Sequence, residues 1–310
     1  MMNEFELIKN YFSKIAKKNI SALDLNDDVF FDKKKGIVIS VDTYNIGTHF
    51  LDFKYPDLVI KKILRSSISD LICKGVKPKF YFISGSGNKK TFTKNNLYKI
   101  YKSLESEQHI FNIKLCGGDT TYSNKLSFTI TSVGYSNKII YRNKVNSNDD
   151  IYVTGNLGDS YLGLKLLTNK ANVKQKDKIF FIKKYYKPKL PLNLTKYLLK
   201  FANSSIDISD GLIDDLSKMI NRQRLSFHLF EKKIPVSKKL NNLIKNHKLN
   251  KINLISKGDD YQVLFTADTN KHRIIQNASK TTGIKITKIG KIVSGKDRSL
   301  IFDEKGKQIQ

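Results

Sequence analysis

The sequence lacks tryptophan and has only two cysteines and five prolines in 310 residues. The cysteines, Cys73 and Cys116, are too few for a disulfide framework and lack metal-site spacing, which excludes a disulfide-rich secreted scaffold. No apolar run approaches the roughly 18 residues that cross a bilayer, and the first six residues lack the apolar core of a signal peptide. These absences predict a cytoplasmic protein with no membrane partner.

Acidic residues are also scarce. Aspartate and glutamate number 28 against 56 lysines and arginines, and the net charge of +28 raises the alternative of a nucleic-acid-binding protein. The basic residues are spread along the whole chain, however, and no helix-turn-helix, ribonucleoprotein or zinc-finger motif accompanies them. We therefore expect no nucleic-acid partner and keep this class as the alternative. The same charge can attract small anionic phosphates.

Against this basic background, aspartates cluster beside glycines or strand residues. Taken singly, each cluster is typical of a helix cap or a turn. Five clusters occur: Asn26-Asp27-Asp28, Ser40-Val41-Asp42, Gly117-Gly118-Asp119, Asp207-Ile208-Ser209-Asp210-Gly211 and Gly258-Asp259-Asp260.

The first two clusters flank a predicted β-hairpin. Residues 29–31 and 37–39 form its strands, and a turn centred near Lys34 sets Asp28 opposite Ser40. The two-residue period then puts Asp28, Ser40 and Asp42 on one face. Carboxylates this close repel one another unless a cation lies between them, and hard oxygen ligands suit Mg²⁺.

A helix is predicted next, with Pro56 in its first turn and Gly75 at its C-terminal end. Asp70 lies on one face of this helix, where the small residues 66–69 would let another element approach closely. A carboxylate there is costly to bury unless it is paired or metal-bound. The spacing leaves two interpretations open, a metal ligand and a solvated side chain.

Further strands are predicted over residues 113–116, 126–133, 151–153 and 261–265, with helices starting near Asp159 and after Gly211. The polar stretch 142–148 predicts a boundary between domains 1–142 and 143–310. The glycine-rich loop 154–158 lacks the Gly-Lys-Ser/Thr of a P-loop, so an ordinary strand-to-helix turn is the better interpretation.

Read in order, the clusters resemble the thiamine-monophosphate kinase family, part of the superfamily of aminoimidazole ribonucleotide synthetase and selenophosphate synthetase. Besides the five clusters, the resemblance covers His49-Phe50, Ser69-Asp70-Leu71, Gly75-Val76-Lys77-Pro78 and Val153 to Ser160. It implies an α/β (α+β) fold of two domains, with the N-terminal sheet pairing with its copy in a homodimer.

The resemblance also implies an activity and its residues. ATP would phosphorylate thiamine monophosphate directly to thiamine diphosphate, the last step of its biosynthesis, with several Mg²⁺ ions. By similarity, the metal ligands are Asp28, Ser40, Val41 (through its backbone), Asp42, Asp70, Asp119, Asp207 and Asp210. ATP would contact Gly118, Asp119, Arg142 and Ser209, and the acceptor would contact His49 and Asp259. Asp259 stands where glutamate is usual in the family.

A second alternative is another ATP-using member of the superfamily. The N-terminal region lacks the glycine-rich segment with catalytic cysteine and lysine that selenophosphate synthesis would require. The stretch from Asp42 to Phe50 with its histidine favours the thiamine enzyme over the purine enzyme.

Overall fold

The computed structural model describes residues 4–295, 299–303 and 305–309, and it contains two mixed β-sheets with helices. The first sheet has the strand order β1-β2-β6-β3-β4, and β5 also pairs with β3. Its strands are β1 (Phe30–Asp32), β2 (Ile37–Asn45), β3 (Pro78–Gly87), β4 (Lys114–Gly117), β5 (Thr120–Tyr122) and β6 (Ser127–Tyr135). Strands β4 and β5 run parallel to β3, and the other pairs are antiparallel.

The second sheet is formed wholly by strands that follow residue 149, with the order β12-β9-β11-β7-β10-β8. Its strands are β7 (Asp150–Thr154), β8 (Ser204–Asp207), β9 (Leu225–Phe230), β10 (Val263–Ala267), β11 (Ile286–Ser294) and β12 (Leu300–Phe302). Among the described strands of this second sheet, only β12 pairs in parallel, with β9. The predicted mixed α/β fold class is confirmed. The boundary between domains 1–142 and 143–310 stays a prediction.

The helices cover both halves of the chain. They are α1 (Glu4–Leu7), α2 (Ser13–Ala16), α3 (Pro56–Cys73), α4 (Lys94–Phe111), α5 (Asp159–Leu167), α6 (Gln175–Tyr186), α7 (Thr195–Phe201), α8 (Leu212–Met219), α9 (Lys238–His247), α10 (Lys251–Ile255) and α11 (His272–Thr282). A π-helical turn, Ile8–Phe12, joins α1 to α2, and 3₁₀ turns cover Ile20–Leu25, Leu192–Leu194, Glu231–Lys233 and Thr269–Lys271. No helix among these described residues combines the length and apolarity needed to cross a bilayer.

The predicted hairpin exists, but its register was wrong by one residue. Phe30 pairs with Ile39 and Phe31 with Val38, so continuing the register sets Asp28 opposite Val41 and not Ser40. Phe31 and Val38 are buried together, and this apolar pair fixes the register more strongly than the turn does. Asp28 precedes the strand in a bend, and its position therefore does not follow the two-residue period.

Helix α3 lies between the two sheets and joins their cores. Pro56 occupies its first turn, and Gly75 beyond its end has a left-handed φ of +78°, as the sequence predicted. Ile60, Leu64 and Ile68 are fully buried, in a core that includes Ile130 of the first sheet. The same core continues to Phe265 of the second sheet, and each such buried side chain contributes about 1.5–3 kcal/mol.

The N-terminus of α5 contains a buried carboxyl that makes stability depend on pH. Asp159 is buried, its Oδ1 accepts a hydrogen bond of 2.7 Å from the Ser237 hydroxyl, and burial raises its pKa to about 6 despite the nearby Lys184. The raised pKa means that the folded state loses stability as pH increases from about 4 to about 6, by roughly 3 kcal/mol at most.

We therefore expect Asp159→Asn to become more stable relative to the wild type as pH increases through this window. The measurement is the free energy of unfolding in urea at several pH values from 4 to 7.5. The difference in free energy of unfolding between the two proteins reports on residue 159 alone. If this difference stayed constant across the pH range, the raised pKa of Asp159 would be contradicted.

Candidate active site

A cleft of about 1400 Å³ opens beside α3 and is lined from both halves of the chain. Many of its lining residues belong to the aspartate clusters. Ten of the residues implicated by the resemblance line it: Asp28, Val41, Asp42, His49, Asp70, Arg142, Asp207, Ser209, Asp210 and Asp259. Ser40, Gly118 and Asp119 do not.

Four carboxylates from distant segments form the floor of this cleft. Asp28 comes from the bend before β1 and Asp42 from the middle of β2. Asp70 comes from the last turn of α3, and Asp207 is the last residue of β8. Asp70 is therefore not the solvated helix side chain of the alternative interpretation, because α3 turns it towards the other three.

Burial and mutual repulsion disfavour the ionised form of three of these four carboxyl groups. Burial raises the pKa of Asp42 to about 6, and the charge of Asp28 adds to this effect. Burial and the charge of Asp28 raise the pKa of Asp207 to about 8. The pKa of Asp70 lies well above its usual value because of burial and the charges of Asp42 and Asp207. A bound cation would relieve all three.

Asp28 differs from the other three carboxyl groups because two cationic side chains form ion pairs with it. Its Oδ2 lies 2.9 Å from Lys74 Nζ, and its Oδ1 lies 2.8 Å from Arg142 Nη1. Although burial opposes ionisation, Lys74 and Arg142 outweigh it and lower the pKa of Asp28. Lys74 has no exposed surface, pairs also with Asp27 at 2.7 Å, and donates to the carbonyl of Ser205 in β8. Asp28 is therefore fixed and ionised before any ligand binds.

The floor fits Mg²⁺. Asp42 Oδ2 is buried, and none of the described residues donates a hydrogen bond to it. Within the described ranges, no three acidic, histidine or cysteine side chains are close enough to enclose a metal ion by themselves. Mg²⁺ does not require such a cage, since it is usually held by one or two carboxylates together with waters and substrate phosphates. The cleft meets this requirement, because it is partly open and contains carboxylate oxygens whose charges are not compensated by the protein.

Helix α3 is tied to the sheet by serines, as its run of small residues predicted. The Ser40 hydroxyl donates to the Ser67 carbonyl at 3.2 Å, and the Ser67 and Ser132 hydroxyls are 2.9 Å apart. Ser40 is therefore buried beneath Asp42 and does not face the cleft. These contacts bring α3 close enough to β2 for Asp42 and Asp70 to interact.

His49 and Asp259 lie at one end of the cleft together with two tyrosines. His49 Nδ1 accepts from the Asn45 amide at 3.0 Å, and its ring meets Tyr44 edge-on at 5.7 Å. Asp259 Oδ1 accepts a hydrogen bond of 2.9 Å from the Tyr261 hydroxyl. The Asp259 amide donates to Ser209 O, which joins this end of the cleft to the cluster at 207–211.

Ser209 and Asp210 line the cleft next to Asp259, and the chain continues from them into α8. Lys218 on α8 pairs with Asp210, and with Asp215 Oδ1 at 2.7 Å. Arg222 and Lys257 line the cleft nearby. The cleft therefore combines an acidic floor with a basic rim, an arrangement suited to polyphosphates carried with divalent cations.

Asp119 and Gly118 lie outside the cleft, beside β3 at the edge of the first sheet away from β1. Asp119 is exposed, its carbonyl accepts from the Gly85 amide, and its Oδ1 accepts from the Thr120 amide. The row of paired residues that contains Thr43 runs from β2 through β6 and β3 to Asp119. Asp119 is therefore three strand spacings from β2, roughly 14 Å. Gly118 packs so closely on β3 that a Cβ would come 1.7 Å from Ile83 O.

Three lysines that shape the site carry no recognisable signal in the sequence. Lys62, Lys74 and Lys218 each form ion pairs with an acidic residue of the clusters or its neighbour. In a chain with 56 basic residues, a lysine carries little signal by itself. Lys62 is also preceded by Lys61, so its burial could not be recognised from the sequence.

Two sheets joined by a shared helix, with an acidic cleft beside it, define the AIR synthase-related class of proteins. The family model described as "AIR synthase related protein, N-terminal domain" matches residues 25–136. The thiamine-monophosphate kinase of Buchnera aphidicola (subsp. Acyrthosiphon pisum) is 32% identical, covering 99% of this chain and 96% of its own. That of Haemophilus influenzae is 33% identical, covering 94% and 89%. The chain belongs to the thiamine-monophosphate kinase family.

The fold agrees with a solved structure of the same family. The structure described as AaThiL complexed with AMPPCP and TMP superposes with a TM-score of 0.84 at 25% identity. The match covers 100% of this chain and 97% of that chain. The AIR synthase-like fold expected from the sequence is confirmed.

Proposed function

We propose that this protein catalyses ATP-dependent phosphorylation of thiamine monophosphate to thiamine diphosphate. The observation that carries the proposal is the convergence of Asp28, Asp42, Asp70 and Asp207 in one large cleft with a basic rim. Family membership identifies the substrates, since its relatives have this activity by name and AaThiL is complexed with an ATP analogue and TMP.

The reaction breaks the bond between the γ-phosphorus of ATP and the oxygen that bridges it to the β-phosphate. A new bond joins the γ-phosphorus to an oxygen of the acceptor phosphate, and ADP leaves. The acceptor oxygen is already anionic, so the protein needs no strong general base. The protein's task is to align two polyanions and to compensate their charge.

The cleft residues divide this task. Mg²⁺ would be held by the carboxylates of Asp28, Asp42, Asp70, Asp207 and Asp210 together with the backbone oxygen of Val41. The predicted ligand Ser40 would act indirectly, because its hydroxyl holds α3 against β2. Bound Mg²⁺ supplies neutralisation of the charge on the phosphates. Arg142 and Ser209 contact ATP, and Lys218 is near enough to Asp210 to contribute a further cation. His49 and Asp259 would bind the acceptor, next to Ser209.

Asp119 and Gly118 are proposed to act from a second copy of the chain. About 14 Å across the sheet separates Asp119 from β2 in one copy, too far for Asp42 and Asp119 to share an ion held at about 2.1 Å from each oxygen. The sheet face that carries Val41 and Phe82 exposes 62% and 41% of these side chains. A twofold dimer through this face would bury them and bring the second copy's Asp119 towards the cleft.

The direct test is an assay of the purified protein with Mg-ATP and thiamine monophosphate, with thiamine diphosphate measured by chromatography. We expect turnover that EDTA abolishes and added Mg²⁺ restores. Absence of product, together with salt-sensitive RNA binding, would overturn the proposal in favour of a nucleic-acid-binding protein.

His49→Ala should raise the KM for thiamine monophosphate about tenfold, with the KM for ATP changed less than about twofold. His49 Nδ1 accepts from the Asn45 amide, which leaves the proton on Nε2 as a donor for an anionic acceptor. The control is His109→Ala, on the exposed side of α4. An unchanged KM for thiamine monophosphate would show that the role of His49 is purely structural.

A further inference from the structure

Lys62 is a buried lysine at the acceptor end of the cleft. Its side chain is 2% exposed, and its Nζ lies 2.5 Å from Asp259 Oδ1. The same ammonium lies 3.9 Å from the ring centroid of Tyr185 and 5.8 Å from that of Tyr261. An unpaired lysine would be costly to bury there, so the carboxylate and the two rings together hold its charge.

The segment that carries Asp259 is tightly constrained. Gly258, Asp259 and Tyr261 all have left-handed backbone angles, with φ of +71°, +61° and +50°. A Cβ on Gly258 would come 1.9 Å from Ser209 O, so only glycine fits that position. Non-glycine residues in this region are strained and persist only where the surroundings hold them.

The two contacts of the Asp259 carboxylate fall on the same oxygen. Lys62 Nζ and the Tyr261 hydroxyl both donate to Oδ1. Oδ2 is therefore the oxygen that remains for a ligand in the cleft, and the Asp259 side chain is 26% exposed. Tyr185 also donates to the backbone carbonyl of His49 at 3.4 Å. Lys62 is thus connected to both acceptor-binding residues.

We propose that Lys62 is a positioning residue that fixes Asp259 for acceptor recognition and compensates its charge. A carboxylate already paired with an ammonium accepts a hydrogen bond from a neutral donor more readily than it binds a second cation. Asp259 Oδ2 therefore recognises the amino group of the acceptor's aminopyrimidine ring and not its cationic thiazolium ring. This inference rests on the proposed function and adds a residue and a recognised group to it.

The test begins with Lys62→Met, which keeps most of the side-chain volume and removes the charge. We expect the KM for thiamine monophosphate to rise about tenfold or more, while kcat and the KM for ATP change less than about threefold. The matched control is Lys61→Met: Lys61 is the adjacent residue of α3, is also paired, and contacts Glu107 and Ser106 away from the cleft. If Lys62→Met melts too low for kinetics, Lys62→Gln replaces it with the same expectation.

A double-mutant cycle separates positioning from direct contact and from a structural role. Because Lys62 acts through Asp259, Lys62→Met should have no additional effect on the acceptor KM in an Asp259→Asn background. Effects that multiply in the double variant, or an unchanged KM in Lys62→Met, would overturn the inference. If the wild-type protein has no turnover at all, the proposed function fails instead.

The recognised group is tested with oxythiamine monophosphate, in which an oxo group replaces the amino group. The wild type should discriminate against it by about tenfold or more, because two acceptors then face each other. Asp259→Asn should lose this discrimination, since its amide can donate to the oxo group. Discrimination that survives in Asp259→Asn would show that another residue recognises the ring.

Discussion

Asp42→Asn is expected to lower kcat by at least about a hundredfold while making the metal-free protein more stable. Asp42 Oδ2 is buried with no donor among the described residues, and burial together with the charge of Asp28 raises its pKa to about 6. At pH 8 the folded protein therefore holds a repelled carboxylate. Asparagine removes that charge, and we expect the free energy of unfolding to rise by roughly 1 kcal/mol or more.

The measurement pairs steady-state kinetics with urea unfolding in EDTA at pH 8. The control is Asp52→Asn, whose carboxylate is 46% exposed and pairs loosely with Lys54 at 3.9 Å. A purely structural Asp42 would give the opposite result, near-normal turnover with a less stable protein. A substitution that lowers activity and raises stability is typical of a residue that is required for function but destabilises the fold.

The second large effect concerns Asp119. Asp119→Asn should also lower kcat by at least about a hundredfold, although this carboxylate is exposed and distant from the cleft of its own copy. If the second copy supplies Asp119, a heterodimer of Asp42→Asn with Asp119→Asn chains has one site with both substitutions and one intact site. We expect this heterodimer to recover about half of the wild-type activity.

The experiment uses two affinity tags to isolate the heterodimer after co-expression. Its mirror control pairs a wild-type chain with a chain carrying both substitutions, which damages both sites and should be inactive. Sites formed within one copy would reverse the two results. A protein that is monomeric at assay concentration, as judged by light scattering, would also rule out a shared site.

Much of this site could be predicted from the sequence because its residues follow local rules. Gly75 ends α3, the serines let the helix approach β2, and aspartates at element ends stand out in a basic chain. The order of these clusters then identified the family. The strand carrying Asp42 was predicted too short, because β2 continues to Asn45 through residues that alternate between core and surface.

What could not be predicted depends on packing between distant segments. The hairpin register follows from Phe31 against Val38, a contact that the turn residues do not encode. Lys62 and Lys74 acquire their roles only when residues about 130 to 200 positions away come into contact with them. The separation of Asp119 from Asp42 depends on strand order, since β6 and β3 lie between them.

The Lys74 ammonium has a mechanical consequence. It leaves the end of α3, binds Asp27 and Asp28 ahead of the first sheet, and donates to Ser205 in the second sheet. Separating the two sheets at this point would leave a buried charge without its partner, which typically costs about 3–5 kcal/mol. We therefore expect the base of the cleft to stay closed and any opening that admits or releases nucleotide to occur at its rim.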